Sequence, residues 1–230
     1  MNKTLKVFFT ILMIIGALTL ALYLYIVSPK FPWKRNKAAK VAEEYVSQTY
    51  GVDLKAERVE SDIVMIDGGG YDIYFTDRAG VSFEVHMYYD QKLSSCWCNY
   101  EKELFASQFK NQHEMNIADL WNEKIILNLS SVWLRDDEIP VTNGYLNYDR
   151  YEKDCSYYIT IELDDKTDKV SDAQDIFDTI TYIRENDLNA NEIIVEYMSS
   201  EYHHADDVWF EINKEEYKTV DDVRDKLMGH

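Results

Sequence analysis

The feature that most constrains this chain is an uncharged apolar stretch close to its N-terminus. The stretch covers residues 7–27 and reads VFFTILMIIGALTLALYLYIV. A helix of about 20 apolar residues is long enough to cross the hydrocarbon core of a bilayer. We therefore predict a single transmembrane helix within residues 1–27 and a location at the cell membrane.

A cleavable signal peptide is the alternative interpretation of this stretch. Lys3 and Lys6 would form its basic start, and residues 19–21 contain small side chains that suit cleavage. However, the apolar stretch is longer than the roughly 7 to 15 residues of a usual signal peptide. Bulky residues, Leu22 and Tyr23, also follow the cleavage position. These observations favour an uncleaved anchor.

The orientation of the anchor depends on two opposing patterns. Residues 28–36 form a basic stalk, and five Lys or Arg side chains between residues 30 and 40 would hold the following domain in the cytoplasm. A short basic N-terminus before an apolar stretch instead resembles an uncleaved export signal. Long domains are also exported across the membrane largely regardless of their charge. We predict that the soluble domain is extracytoplasmic, with the cytoplasmic orientation as the alternative.

The soluble part of the chain is strongly acidic. Residues 1–40 contain seven Lys or Arg and no acidic residue, so the whole-chain charge of -18 leaves -25 on the remaining 190 residues. A nucleic-acid partner is disfavoured, because such a partner requires a cationic surface. Eighteen Tyr and five Trp provide aromatic contact area. Aromatic surface and negative charge together predict a protein partner with a basic patch at the cell envelope.

Residues 37–137 are predicted to form a helix and an antiparallel sheet. Apolar residues recur at helical spacing from 38 to 49, and Gly51 follows as a C-cap. Residues 54–66, 71–76 and 81–89 have the alternation of strands. Residues 97–112 and 116–134 are predicted to be helices.

Residues 138–230 are predicted to form a second α+β half. The irregular stretch 136–154 is the expected seam, although its Asn143-Gly144 pair also suits a hairpin. The order β-α-β-β-α follows from strands at 157–163, 193–197 and 208–212, a helix over 171–183 and a last helix opened by Thr219. The predicted class is therefore α+β, with helices on one face of a small sheet.

The segment AEEYVSQTYG, residues 42–51, carries a family resemblance. Placed after a membrane stretch and before a strand meander, it resembles uncharacterised single-pass membrane proteins of Gram-positive bacteria with a cystatin-like or PepSY-like extracytoplasmic domain. The resemblance covers residues 5–90. It implies a helix wrapped by an antiparallel sheet and an extracytoplasmic location, and it brings no catalytic residues.

Residues 201–207 contain the densest set of candidate metal ligands, namely His203, His204, Asp206 and Asp207. Imidazoles and carboxylates bind borderline divalent cations. Adjacent histidines in a strand point apart, however, and no H-E-x-x-H helix is present. A polar hairpin loop is the alternative, and we predict neither catalytic residues nor a cofactor.

Three cysteines, Cys96, Cys98 and Cys155, are too few for a disulfide scaffold and lack zinc-site spacing. Packing is one interpretation. A bridge from Cys96 or Cys98 to Cys155 is the other, and it would leave one thiol over.

The sequence thus predicts a membrane-anchored extracytoplasmic binding protein without evident catalysis. Two alternatives remain from other classes. One is an extracytoplasmic metal-dependent hydrolase that uses the histidine segment. The other is an immunity or assembly factor that acts through the membrane helix itself.

Overall fold

A computed structural model of the chain describes residues 3–27, 31–62, 69–122, 124–134, 141–164, 169–198, 205–212 and 216–229. The chain divides into two compact units, residues 1–100 and residues 101–230. Each unit combines helices with a β-sheet, so the predicted α+β class is confirmed.

Two helices open the first unit. Helix α1 extends over Lys3–Val27, and its described side chains, at Phe9 and residues 11–23, are exposed. Within the described ranges, no helix combines the length and the apolar character that crossing a bilayer requires. Helix α2 extends over Pro32–Tyr50 and begins at a proline; Gly51, whose φ of 68° is left-handed, caps its C-terminal end.

A four-stranded antiparallel sheet follows, in the order β1-β2-β3-β4. Its strands are Arg58–Asp62, Gly70–Thr76, Ser82–Tyr88 and Cys96–Cys98. The three strands predicted between residues 54 and 89 are confirmed. Alternate side chains of β2 and β3 are buried, and α2 buries Ala38, Ala42, Val46 and Tyr50. The first unit is therefore a helix packed on an antiparallel meander.

Gly70 begins β2 at a point where no side chain fits. A Cβ atom there would lie 2.6 Å from the backbone oxygen of Met87 and 2.8 Å from Nε2 of His86. The imidazole of His86 lies against this glycine because its Nδ1 is 2.7 Å from Oδ1 of Asp72. Gly70 is thus required by the close approach of β3.

The second unit contains a sheet with the order β10-β9-β8-β5. The strands β8 and β9 are parallel, and the other neighbouring strands are antiparallel. Its elements, in chain order, are α3 Tyr100–Ala118, β5 Ile126–Leu134, β6 Val141–Thr142, β7 Tyr145–Leu146, α4 Tyr148–Asp154, β8 Cys155–Asp164, α5 Ala173–Glu185, β9 Ala190–Met198, β10 Ala205–Glu211 and α6 Val220–Met228.

The predicted β-α-β-β-α order is confirmed by β8, α5, β9, β10 and α6. Thr219 caps α6 through a capping box with Asp222. The hairpin alternative for Asn143 and Gly144 is also confirmed. Both residues have positive φ, 53° and 72°, between the short strands β6 and β7.

The predicted helix over residues 116–134 is wrong. Helix α3 ends at Ala118, and the indole nitrogen of Trp121 then donates a hydrogen bond to Thr179 at 3.0 Å. Residues 126–134 form β5 because they pair with β8, which satisfies their backbone groups. This pairing joins chain segments on both sides of residues 136–154.

The core of the second unit lies on one side of this sheet. Tyr157, Ile159, Ile161 and Leu163 of β8 are fully buried, as are Ile176, Ile180 and Ile183 of α5. Phe105 and Phe109 of α3 pack edge-on against Tyr157, with ring centroids 5.3 and 5.5 Å apart. This packing covers the inner face of the sheet. The alternate residues of β8 lie on the opposite face, because successive side chains of a strand point to opposite sides of the sheet.

Replacement of Gly70 by alanine tests the close approach of β3. The new Cβ would overlap the backbone of Met87, so we expect G70A to lower the free energy of unfolding by about 1–3 kcal/mol. Denaturant unfolding of the full-length protein measures this change. G229A is the matched control, because its Cβ would meet nothing closer than 3.6 Å. Equal stability of G70A and G229A would contradict the observed packing.

Candidate functional site: the outer face of the second sheet

The candidate site is the side of the second sheet opposite its core. We call it the outer face. It is made by alternate residues of four strands, which place aromatic, hydroxyl and acidic side chains next to one another. Its residues include Ile126, Asn128, Ser130 and Trp133 from β5, Tyr158, Thr160 and Glu162 from β8, Glu192, Ile194 and Glu196 from β9, and Asp207, Trp209 and Glu211 from β10.

Three aromatic rings form one half of the outer face. Tyr158 contacts Trp133 on one side and Trp209 on the other, with centroids 5.3 and 6.0 Å apart and edge-to-face angles of 78° and 76°. Ile194, on the strand between Tyr158 and Trp209, is only 5 % exposed, whereas the two indoles are 48 % and 44 % exposed. The rings therefore form a preorganised apolar contact surface.

Three carboxylates form the other half of the outer face. Glu162, Glu196 and Asp207 lie directly opposite one another on β8, β9 and β10. We call them the carboxylate row. Neighbouring strands are about 4.8 Å apart, so the row brings three like charges together.

The hydrogen bonds of the carboxylate row leave one acceptor without a donor. Asn128 donates to Oε1 of Glu162 at 2.5 Å, and Lys110 donates to Oδ1 of Asn128 at 2.8 Å. Oδ1 of Asp207 is buried and has no hydrogen-bond partner within the described residues. A buried acceptor in this state is costly and calls for a donor.

The pKa of Glu196 reflects this crowding. Burial raises it above its ordinary value, and the carboxylates of Asp207 and Glu162 raise it further. Among the described residues, no lysine or arginine forms an ion pair with any member of the row. The row therefore carries net negative charge, which Lys110 approaches only through Asn128.

Two of the four predicted metal ligands lie on β10. Asp207 belongs to the carboxylate row, and Asp206 lies opposite Tyr197 on β10. His203 and His204, with the side chain of Asp206, lie outside the described residues. No group of three or more His, Cys, Asp or Glu side chains that could hold a metal ion occurs where the structure describes the chain.

Sequence reasoning missed Glu162, Glu196 and the three aromatic residues of the outer face. Alternation in residues 157–163 and 193–197 places both glutamates on polar strand faces, which was the available signal. The register that puts one beside the other is a property of the folded sheet.

The cysteines offer no reactive pair. No disulfide joins Cys96, Cys98 and Cys155, so the bridge considered from the sequence is not formed. Burial, with a smaller contribution from Asp90, raises the pKa of Cys96 to about 11. Cys96 is therefore a thiol rather than a thiolate at neutral pH.

Replacement of Glu196 by glutamine tests the repulsion in the carboxylate row. The pKa of Glu196 is above its ordinary value of 4.5 in the folded state, so its ionisation opposes folding at higher pH. We expect E196Q to be more stable than the wild type at about pH 7, and this advantage to disappear below about pH 4.5. Thermal unfolding at several pH values measures it. E185Q, at an exposed glutamate of α5, is the control; an equal gain there would contradict the proposed repulsion.

Comparison with protein-family models, curated proteins and solved structures finds no match for this chain. The resemblance of residues 5–90 to cystatin-like or PepSY-like proteins therefore stays a prediction. What the outer face can do follows from its geometry. It offers preorganised apolar area beside concentrated negative charge, a combination that suits binding of a cationic partner.

Proposed function

We propose that the protein is a membrane-anchored extracytoplasmic binding protein whose outer face captures a cationic segment of another envelope protein. The carboxylate row beside the exposed indoles of Trp133 and Trp209 is the observation that carries this proposal. The proposed function needs no chemical step.

The two halves of the outer face supply different parts of the binding. Tryptophan and tyrosine are the commonest anchors of protein interfaces, because they bury a large area with few rotatable bonds. The rings of Tyr158 and Trp209 are held against each other and lose little freedom on binding. Carboxylates speed the encounter with a cationic partner and select against acidic ones.

The proposed anchor is helix α1. No helix in the described ranges combines the length and the apolar character that crossing a bilayer requires, so this part of the proposal rests on the sequence alone. The uncharged residues 7–27 support this role. Lys34 and Arg35, at the start of α2, would then lie near the membrane surface, where basic residues favour anionic lipid headgroups.

Photo-crosslinking in intact cells tests the capture. We expect a benzoylphenylalanine at position 126 to crosslink an envelope protein, because Ile126 is 49 % exposed and lies opposite Glu162 of the carboxylate row. The product should decrease when Glu162, Glu196 and Asp207 are replaced together by their amides. The control is the same probe at Tyr145, which is 69 % exposed on β7. The proposal would be refuted if position 145 gave the same product. It would also be refuted if the product from the outer face did not decrease in the amide variant.

Thiol labelling tests the proposed side of the membrane. Cys96 and Cys98 are half-buried and Cys155 is buried, so an impermeant reagent should reach the first two in intact cells and Cys155 only after denaturation. A C96S/C98S variant is the control for site assignment. Protection of Cys96 and Cys98 until lysis would place the domain in the cytoplasm and redirect the search for partners.

A further inference from the structure

Building on the proposed function, we propose that the outer face binds one lysine side chain of the partner. Its alkyl stem lies along the indole of Trp209, and its ammonium group contacts the carboxylate row. The lysine is thus the anchor of the captured segment.

The spacing of the outer face fits a lysine. Trp209 is two residues from Asp207 on β10, and Ile194, opposite Trp209, is two residues from Glu196 on β9. Two residues of strand extend roughly 6.6 Å, which the four-carbon stem of lysine can follow. Lysine stems lie along apolar surface while their charged ends stay among polar groups.

The available acceptors fit an ammonium group. Glu196 lies between Asp207 and Glu162, so carboxylates of both neighbouring strands flank it. An ammonium carries three donors that rotate freely, and it needs acceptors on several sides. One lysine placed over Glu196 would reach all three carboxylates of the row.

Protons should compete with the lysine for this site. The groups that face Glu196 are Glu162 on β8 and Asp207 on β10, and Lys110 reaches the row only through Asn128. Burial and the neighbouring carboxylates raise the pKa of Glu196, so it takes up a proton early as the pH falls. Acidification should therefore weaken lysine binding before it unfolds the sheet.

A pair of peptides tests this inference on the full-length protein in detergent micelles. The probes are acetyl-GGKGG-amide and the same peptide with Nε-acetyllysine, which keeps the stem and removes the charge. The indole N–H signal of Trp209 is followed by NMR. We expect saturable shifts with the lysine peptide and about tenfold weaker binding of the acetylated peptide. Acidification should weaken binding of the lysine peptide and leave binding of the acetylated peptide unchanged.

Variants then assign the effect to the carboxylate row. E196Q and D207N should each weaken binding of the lysine peptide about tenfold, whereas E185Q should leave it unchanged. Thermal unfolding of each variant verifies that the fold is retained. Equal shifts with both peptides, or unchanged affinity in E196Q and D207N, would overturn the lysine anchor.

The crosslink from position 126 separates the two proposals. If the anchor fails and the envelope product persists, the outer face captures its partner without a lysine, and the proposed function stands. If the product is also absent, the proposed function itself fails.

Discussion

The second unit depends on the position of β8 between two different partners. On one side β8 pairs with β5 in antiparallel fashion, and on the other it pairs with β9 in parallel. Its inward side chains, such as Tyr157 and Ile161, are fully buried. Because a strand alternates, burying these residues places Tyr158, Thr160 and Glu162 together on the outer face. Both halves of the candidate site are thus consequences of one burial pattern.

The carboxylate row is unfavourable for the isolated fold. Like charges directly opposite one another destabilise a sheet, and an undersatisfied acceptor on Asp207 adds to that cost. Departures of this kind are expected where a protein uses a surface for a purpose other than stability. The aromatic rings beside the row add an apolar contact area to the same face.

The first unit shows a different kind of constraint. Its helix α2 packs on the meander through small residues, Ala38 and Ala42, which let the helix lie close to the sheet. On the opposite side of the sheet, Asp72 orients His86, and the ring of Trp97 lies 4.9 Å from the imidazole. Gly70 makes room for this arrangement. Here polar groups are paired within the unit, in contrast to the carboxylate row.

The sequence by itself determined the features that depend on neighbouring residues. These are the apolar stretch 7–27, the α+β class, the three strands between residues 54 and 89, the order β-α-β-β-α and the cap at Thr219. Each is a local pattern of period, charge or turn chemistry. Only the tertiary structure decided that residues 126–134 form β5 rather than helix, because a short apolar segment suits either state until a partner strand satisfies its backbone. The same holds for the carboxylate row, whose members meet through a register between strands that local patterns do not contain.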